Sequence, residues 1–175
     1  LSGLVGSEMC IRDRNMDTSQ TNQLFTIGYI SRATQKMSLE QLLAIVDHAE
    51  IANEAAQITG SLFYEEGIFG QVLEGTSKDL YELMDKISKD PRHDHLISTH
   101  LQSLSERRFS NWSMHLNNSS FVYAAIPELQ EFKKNLPNTP EWYVLNSNEI
   151  NKLSETESFE KRQSIFRYLY CINRS

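Results

Sequence analysis

The chain has 175 residues, enough for one domain whose hydrophobic core needs no disulfide or metal, together with a modest appendage. Its formal net charge of −6 and its scattered basic residues exclude sequence-independent binding to nucleic acid. Cys10 and Cys171 form no paired motif, which favours a reduced, cytoplasmic compartment, and no apolar run reaches the roughly 20 residues that span a membrane.

The start of the chain predicts a leader followed by a strand. Residues 1–21 lack the basic and long apolar regions of a signal peptide, and we expect a disordered or non-native leader with Met16 as the candidate natural start. Residues 24–31 alternate, which predicts a strand that carries Tyr29 and Ser31 on one face.

A helix and a hairpin are predicted next. A capping-box pattern, S-x-x-Q, begins at Ser38, and the apolar stripe behind it continues at helical spacing to Asn53. We expect this helix to end at residues 59–60, Thr-Gly. Residues 61–75 then predict a β-hairpin that turns at residues 66–67, Glu-Gly.

The following residues continue this pattern of helices and strands. Thr76 opens a second amphipathic helix, which ends at residues 90–91, Asp-Pro. Residues 96–104 and 112–116 predict two further short strands. The order β-α-β-β-α-β-β predicts an α+β, ferredoxin-like sandwich over residues 22–120, with two helices on one face of a sheet.

The remaining residues, 121–175, predict a C-terminal helical extension. Within them, residues 158–172 form an amphipathic pattern whose apolar stripe needs a surface to cover, either the free sheet face or another subunit. Together with residues 142–144, Trp-Tyr-Val, this stripe is our candidate for self-association or for docking a separate partner. No catalytic effector domain fits after Phe121, so we do not expect an enzyme.

Four residues place polar, redox-capable or polarisable groups on the apolar faces of the predicted strands: Tyr29, Gln71, Trp112 and Met114. A buried glutamine amide is costly without hydrogen-bond partners, so a bound ligand is a candidate neighbour of Gln71. Neither a tyrosine nor an amide is a useful hydrolytic acid or base near neutral pH. A tyrosine can release an electron and a proton, and an amide can exchange its donor and acceptor ends by rotating, which indicates switching rather than turnover.

Five sequence blocks follow one another along the chain: Y-I-S-R-A at 29–33, N-x-x-x-x-I-T-G at 53–60, F-G-Q-V-L-E-G at 69–75, K-I-S-K-D-P-R-H at 86–93 and E-R-R-F-x-N-W-S-M at 106–114. With these blocks the chain resembles the BLUF domains, the blue-light sensors using FAD, over roughly residues 22–117. The resemblance implies non-covalent binding of FAD and a light-driven change in hydrogen bonds. It also implies a homo-oligomer or a response-regulator-like protein partner.

The resemblance implies roles for the residues on the predicted strands. Tyr29 would be the light-driven electron and proton donor, and Gln71 would link it to the flavin N5 and C4 carbonyl. Ser31 would be a second hydrogen-bond partner near Tyr29. Trp112 and Met114 would lie on the last strand, whose repacking beside Gln71 would carry the signal outward.

Three further flavin contacts are implied by the same resemblance. Asn53 would hold the C4 carbonyl and the N3 edge, Lys86 would stand beside the pyrimidine end, and Asp90 would lie along that edge. The family usually has arginine at this position. Lys86 keeps the positive charge but lacks the planar guanidinium fork of arginine. Ala52 stands where relatives often have Asn or His, which predicts an altered flavin affinity or recovery rate.

Two other functions stay open from the residues alone. An acylphosphatase-type hydrolase shares the predicted topology and would use Arg32, although the loop that follows lacks the glycines of an anion-binding nest. A flavin-free protein-interaction module is the second alternative. His93 and His95 form an H-x-H pair without further metal ligands, and we expect a solvated turn there. We expect the arginines at 107–108 to be solvated or paired with nearby acids such as Glu106.

Overall fold

The computed structural model describes residues 23–110 and 113–138. Its elements follow the predicted order from the first strand to the second helix, and two short strands and two short helices come after them. They are β1 Leu24–Ala33, α1 Leu39–Ala55, β2 Thr59–Glu65, β3 Ile68–Gly75, α2 Ser77–Ser88, β4 His93–Ser98, β5 Gln102–Leu104, α3 Ser119–Ala125 and α4 Glu128–Lys133. The leader at 1–21 and the patterns at 142–144 and 158–172 lie outside the described residues and stay predictions. None of the helices in the described ranges has the length and apolarity to cross a membrane.

The strands form one antiparallel sheet in the order β2-β3-β1-β4, and β5 pairs with the first residues of β1. The hairpin turns where it is predicted, at Glu66 and Gly67, which both have a positive φ. β3 pairs with β1 so that Tyr29 lies directly opposite Gln71. The predicted α+β, ferredoxin-like class is confirmed.

Local interactions set both ends of α1. Ser38 Oγ accepts a hydrogen bond from the Gln41 N–H at 3.2 Å, and Gln41 Oε1 accepts one from the Ser38 N–H at 2.8 Å, which is the predicted capping box. The helix ends at Ala55, earlier than predicted. Because Gln57 adopts a positive φ, the chain turns there, and residues 59–60 belong to β2 instead of the helix end.

Helices cover both faces of the sheet. α1 and α2 pack on one face over a core that contains Leu73, and α3 and α4 pack on the other face over a core that contains Val72. Successive strand residues point to opposite faces, so the alternation of β3 supplies both cores. On β1, a Cβ added at Gly28 would lie 2.7 Å from Ile126 Cδ1, and the missing side chain lets the second helical layer approach the sheet closely.

The strand predicted at 96–104 is interrupted, and forms β4 and β5 with residues 99–101 between them. Thr99 explains the break. Its N–H donates to Gly28 O at 2.8 Å, while its Oγ1 accepts from the Gly28 N–H at 3.1 Å. A side-chain hydroxyl thus replaces the backbone carbonyl that would continue the ladder.

The strand predicted at 112–116 is wrong for the part that the structure describes. Trp112 lies outside the described residues, and residues 113–114 bend away from an extended conformation. Leu116 makes one parallel bridge to Leu62, which lies on the edge strand β2. This segment therefore runs along the edge of the sheet without becoming a further strand.

Candidate functional site

A cavity of about 300 Å³ lies between the sheet and helices α1 and α2. Its volume is at the lower end of the range of about 300–1,000 Å³ that is typical of small-molecule sites. Five of the residues selected from the sequence line it: Tyr29, Asn53, Gln71, Lys86 and Asp90. The structure thus brings residues from two strands, two helices and a turn to one place. Much of the remaining wall is apolar, with contributions from Ile45, Ala49, Leu62, Phe69, Leu83 and Ile87.

Tyr29 and Gln71 lie side by side on the sheet at the cavity. They are Cα partners in the β1–β3 pairing, and directly opposed side chains have Cβ atoms about 5 Å apart. Each residue is only 5% exposed. Burial, followed by the negative charge of Asp90, raises the pKa of Tyr29 above its ordinary value of 10.0, so the phenol keeps its proton at neutral pH.

The amide of Gln71 has a weak partner. Its Nε2 donates to the Sδ of Met114 at 3.3 Å. A thioether sulfur is a poor acceptor compared with a carbonyl or carboxylate oxygen. The amide can therefore exchange this bond for a better one at small cost.

α1 places a second amide, that of Asn53, on the cavity wall. Asn53 is 2% exposed, and its Nδ2 donates to the backbone carbonyl of Ser113 at 2.9 Å. An asparagine amide has two N–H donors and one carbonyl acceptor, so capacity remains for a ligand. Together with the contact between Gln71 and Met114, this bond attaches the segment after residue 112 to the cavity.

Charged groups supply a further part of the lining. Arg92 Nε donates to both carboxylate oxygens of Asp90, at 2.9 Å each. This hydrogen bonding is the main reason why the pKa of Asp90 is lowered, so the carboxylate is ionised at neutral pH. Lys86 adds an exposed cation from α2. The sequence analysis included Lys86 and Asp90 but missed Arg92.

His93 was expected in a solvated turn, and that expectation is wrong. It is half-buried at the start of β4 and lines the cavity. Its ring stacks on Tyr29 with 6.1 Å between centroids and meets Phe69 edge-on at 6.1 Å. Burial lowers its pKa below the ordinary 6.5, so the ring is neutral at pH 7. The sequence did not indicate the burial of His93, because the strand was predicted to begin only at residue 96. β4 begins at His93, and His95, the other histidine of the pair, is exposed.

Ser31 and Ala52 are sequence neighbours of these residues. Ser31 lies on the same strand as Tyr29 and is completely buried, but it does not line the cavity. Its Oγ makes no hydrogen bond with any described residue. Ala52 does line the cavity, and its methyl side chain can make no hydrogen bond there.

The arginines outside the cavity are engaged with other groups. Arg32 donates to Asp94 through Nε at 3.0 Å and through Nη2 at 2.7 Å, and it is not part of the lining. This pairing does not favour the hydrolase alternative. Arg108 Nε donates to the carboxylate of Glu74 on β3 at 2.8 Å, so its acid is distant in sequence, while Arg107 Nη1 donates to the backbone carbonyl of Glu74 at 2.8 Å. Within the described residues, no three His, Cys, Asp or Glu side chains are arranged to hold a metal ion.

The cavity fits a flat aromatic ligand that has polar edges. Leu62 and Phe69 supply apolar wall, while the amides of Asn53 and Gln71 can bind carbonyl and ring-nitrogen atoms. The buried Nδ1 of His93 makes no hydrogen bond within the described ranges, so further polar capacity remains next to Tyr29. A flavin ring, apolar on its faces and polar along one edge, has this combination.

Known proteins match the region that contains the cavity. The family model for BLUF, the sensors of blue-light using FAD, matches residues 24–115, which include every residue that lines the cavity. A photoactivated adenylate cyclase subunit beta from Euglena longa is 37% identical over 109 residues, which are 62% of this chain and 13% of that protein. The dark-state structure of BlrB, a BLUF protein, is 29% identical with a TM-score of 0.54, covering 64% of this chain and 85% of BlrB. The photo-activated state of BlsA is 25% identical with a TM-score of 0.52, covering 77% of this chain and 97% of BlsA.

Proposed function

The chain belongs to the BLUF family of blue-light sensors, and from this membership we propose that its cavity binds FAD non-covalently and that light rearranges the hydrogen bonds of Tyr29 and Gln71. The observation that carries the proposal is the position of these two residues, opposite each other on adjacent strands and both lining the cavity. The family description names FAD, and it is the reason for preferring FAD to FMN.

Three lining residues would hold the polar edge of the flavin ring. Asn53 and Lys86 supply N–H donors for carbonyl oxygens, and the ionised carboxylate of Asp90 can accept a hydrogen bond from a ring N–H. Ser31, which does not line the cavity, would act through Tyr29. Arg92 fixes the carboxylate of Asp90 in place.

When bound, an oxidised flavin supplies absorption of blue light and an excited state that takes up an electron. Tyr29 can release that electron together with its Oη proton, and it takes both back, so no residue is oxidised at the end of the cycle. Its raised pKa keeps the phenol protonated before illumination. Its burial limits the access of water to this proton.

Gln71 would retain the change after Tyr29 has recovered. Its amide can rotate, so that Nε2 leaves the Sδ of Met114 and the donor and acceptor ends exchange places. One hydrogen bond contributes about 0.5–1.5 kcal/mol net, so the signal is a small bias on a nearly balanced element. We propose that the segment containing Met114 is this element. Trp112 lies outside the described residues, and its membership in this signalling segment stays a prediction.

Absorption spectra before and after a blue flash test the proposal. Protein loaded with FAD should be yellow, should shift its flavin band slightly to the red, and should revert in darkness. The variant Tyr29→Phe, which lacks only the hydroxyl, should bind flavin without showing the shift. Loading with FMN in parallel identifies the cofactor. A protein that takes up neither flavin, or a normal reversible shift in Tyr29→Phe, would contradict the proposal.

We infer that the output is a light-dependent change in self-association or in affinity for a separate partner, and that the described domain catalyses no reaction. The family that matches residues 24–115 is one of sensors, and this is what supports the absence of a reaction. The homo-oligomer, the response-regulator-like partner and the cytoplasmic location stay predictions. Light scattering in darkness and in saturating blue light, with and without candidate partners, measures the output. Particle sizes that are the same in darkness and in light, both with and without the partners, would count against this output.

A further inference from the structure

Glu74, near the end of β3, is a completely buried carboxylate that the proposed photocycle does not use. Its Oε1 accepts a hydrogen bond from Arg108 Nε at 2.8 Å, and its Oε2 accepts from the backbone N–H groups of Arg108 at 2.9 Å and Phe109 at 3.3 Å. A buried charge is costly unless it is paired and hydrogen-bonded. The carboxylate is therefore held in one position by the chain around residue 108.

Arg108 connects three separate elements through one guanidinium group. Besides Glu74 on β3, it binds Thr26 Oγ1 on β1 through Nη2 at 2.8 Å and the carbonyl of Ala125 through Nη1 at 2.6 Å. Ala125 is the last residue of α3, and carbonyls at a helix C-terminus lack intrahelical partners and favour a nearby cation. The C-terminal end of α3 is thus attached to the sheet through Arg108.

The N-terminal end of α3 is attached to the cavity by residues 113–118, which we call the edge segment. The start of this segment bonds to the amides of Asn53 and Gln71. Directly after it, the N–H of Ser119, the first residue of α3, donates to Glu65 Oε1 at 2.7 Å. One end of α3 is therefore connected to the amide switch, and the other end to an ion pair whose carboxylate is buried.

We propose that the Glu74–Arg108 pair is the pivot of α3. A shift of the edge segment moves the N-terminal end of α3, while the pair keeps its C-terminal end on the sheet, so the helix tilts and the surface of the α3–α4 layer changes. Gln71 and Glu74 are three residues apart on β3, so one strand carries the switch on one face and the pivot on the other. The inference rests on the proposed function, because Gln71 is the source of the shift.

Hydrogen exchange of the full chain loaded with FAD, in darkness and under blue light, tests the pivot. In the unaltered protein, light should change exchange in both the edge segment and residues 119–133. In Glu74→Gln, which keeps the shape of the side chain but removes its charge, the red shift and the response of the edge segment should persist. The response of residues 119–133 should be lost.

Two further variants complete the experiment. Arg108→Lys keeps the charge but loses the guanidinium fork, and it should behave like Glu74→Gln. If Glu74→Gln does not fold, Arg108→Lys tests the pivot in its place. Lys133→Gln removes an exposed ion pair at 3.0 Å between α4 and Glu66 of the hairpin turn, and it should keep the full response. A normal response of residues 119–133 in both pivot variants, with the red shift intact, would overturn the pivot alone. An unaltered protein without a red shift would overturn the proposed function and the pivot together.

Discussion

Replacing Gln71 with leucine should stabilise the flavin-free protein while it abolishes the light response. Gln71 is 5% exposed, and its Nε2–H donates to the Met114 thioether at 3.3 Å. Its cross-strand neighbour on β2 is Leu62, so a leucine at 71 would meet an apolar side chain. The substitution therefore removes a buried polar group that has a weak partner and adds an apolar contact.

The size of the effect follows from these contacts. Burying an amide without adequate bonds costs about 1–3 kcal/mol in proteins, and a bond to a weak acceptor offsets about 0.5 kcal/mol of this. Because Gln71 lines the cavity, part of the amide stays solvated in the flavin-free protein, and we take the low end of the cost. This leaves about 0.5 kcal/mol, and the apolar contact of the new leucine with Leu62 adds about as much again, so we expect the free energy of unfolding to rise by about 1 kcal/mol and Tm by about 2–4 °C.

Denaturant unfolding of the flavin-free protein measures the stability, and light-minus-dark spectra of the FAD-loaded protein measure the response. The control is Gln102→Leu, the same exchange at an exposed position of β5, which should change stability by less than about 0.5 kcal/mol and leave the spectra unaltered. A normal red shift in Gln71→Leu would refute the photochemical role. A loss of stability above about 1 kcal/mol would refute the weak bonding of the amide.

Three other predictions concern binding, pH and packing. Asn53→Ala should weaken FAD binding about tenfold, the equivalent of one hydrogen bond, in a fluorescence titration; an unchanged Kd would remove Asn53 from the site. Because burial lowers the pKa of His93 in the folded protein, the unfolded chain binds this proton first as pH falls, and stability should decline from about pH 7 towards pH 5. His93→Gln should flatten that decline. If the free energy of unfolding falls equally with pH in the variant and in the unaltered protein, the prediction is contradicted. Gly28→Ala should cost less than about 1 kcal/mol in denaturant unfolding, since the nearest atom, Ile126 Cδ1 at 2.7 Å, is the end of a flexible side chain, and a larger loss would show that the α3–α4 layer does not yield.

Local sequence signals predicted most of the elements correctly. Alternation along β1 and the hairpin, the capping box at Ser38 and the Glu-Gly turn at 66–67 act between residues that are close in the chain. The same alternation placed Tyr29 and Gln71 on apolar strand faces. The ordered blocks then identified the family, which no single pattern would have done.

The tertiary structure alone decided which distant residues meet. The register of β1 against β3 puts Tyr29 opposite Gln71, and the pairing of β4 brings His93 back onto the ring of Tyr29. The buried carboxylate of Glu74 forms an ion pair with Arg108, 34 residues away, that no local pattern indicated. Such pairs depend on strand register and on how the helical layers cover the sheet, and these are set by the packing of the whole domain. The sequence by itself therefore determined the kinds of groups that this sensor uses, and packing determined their contacts.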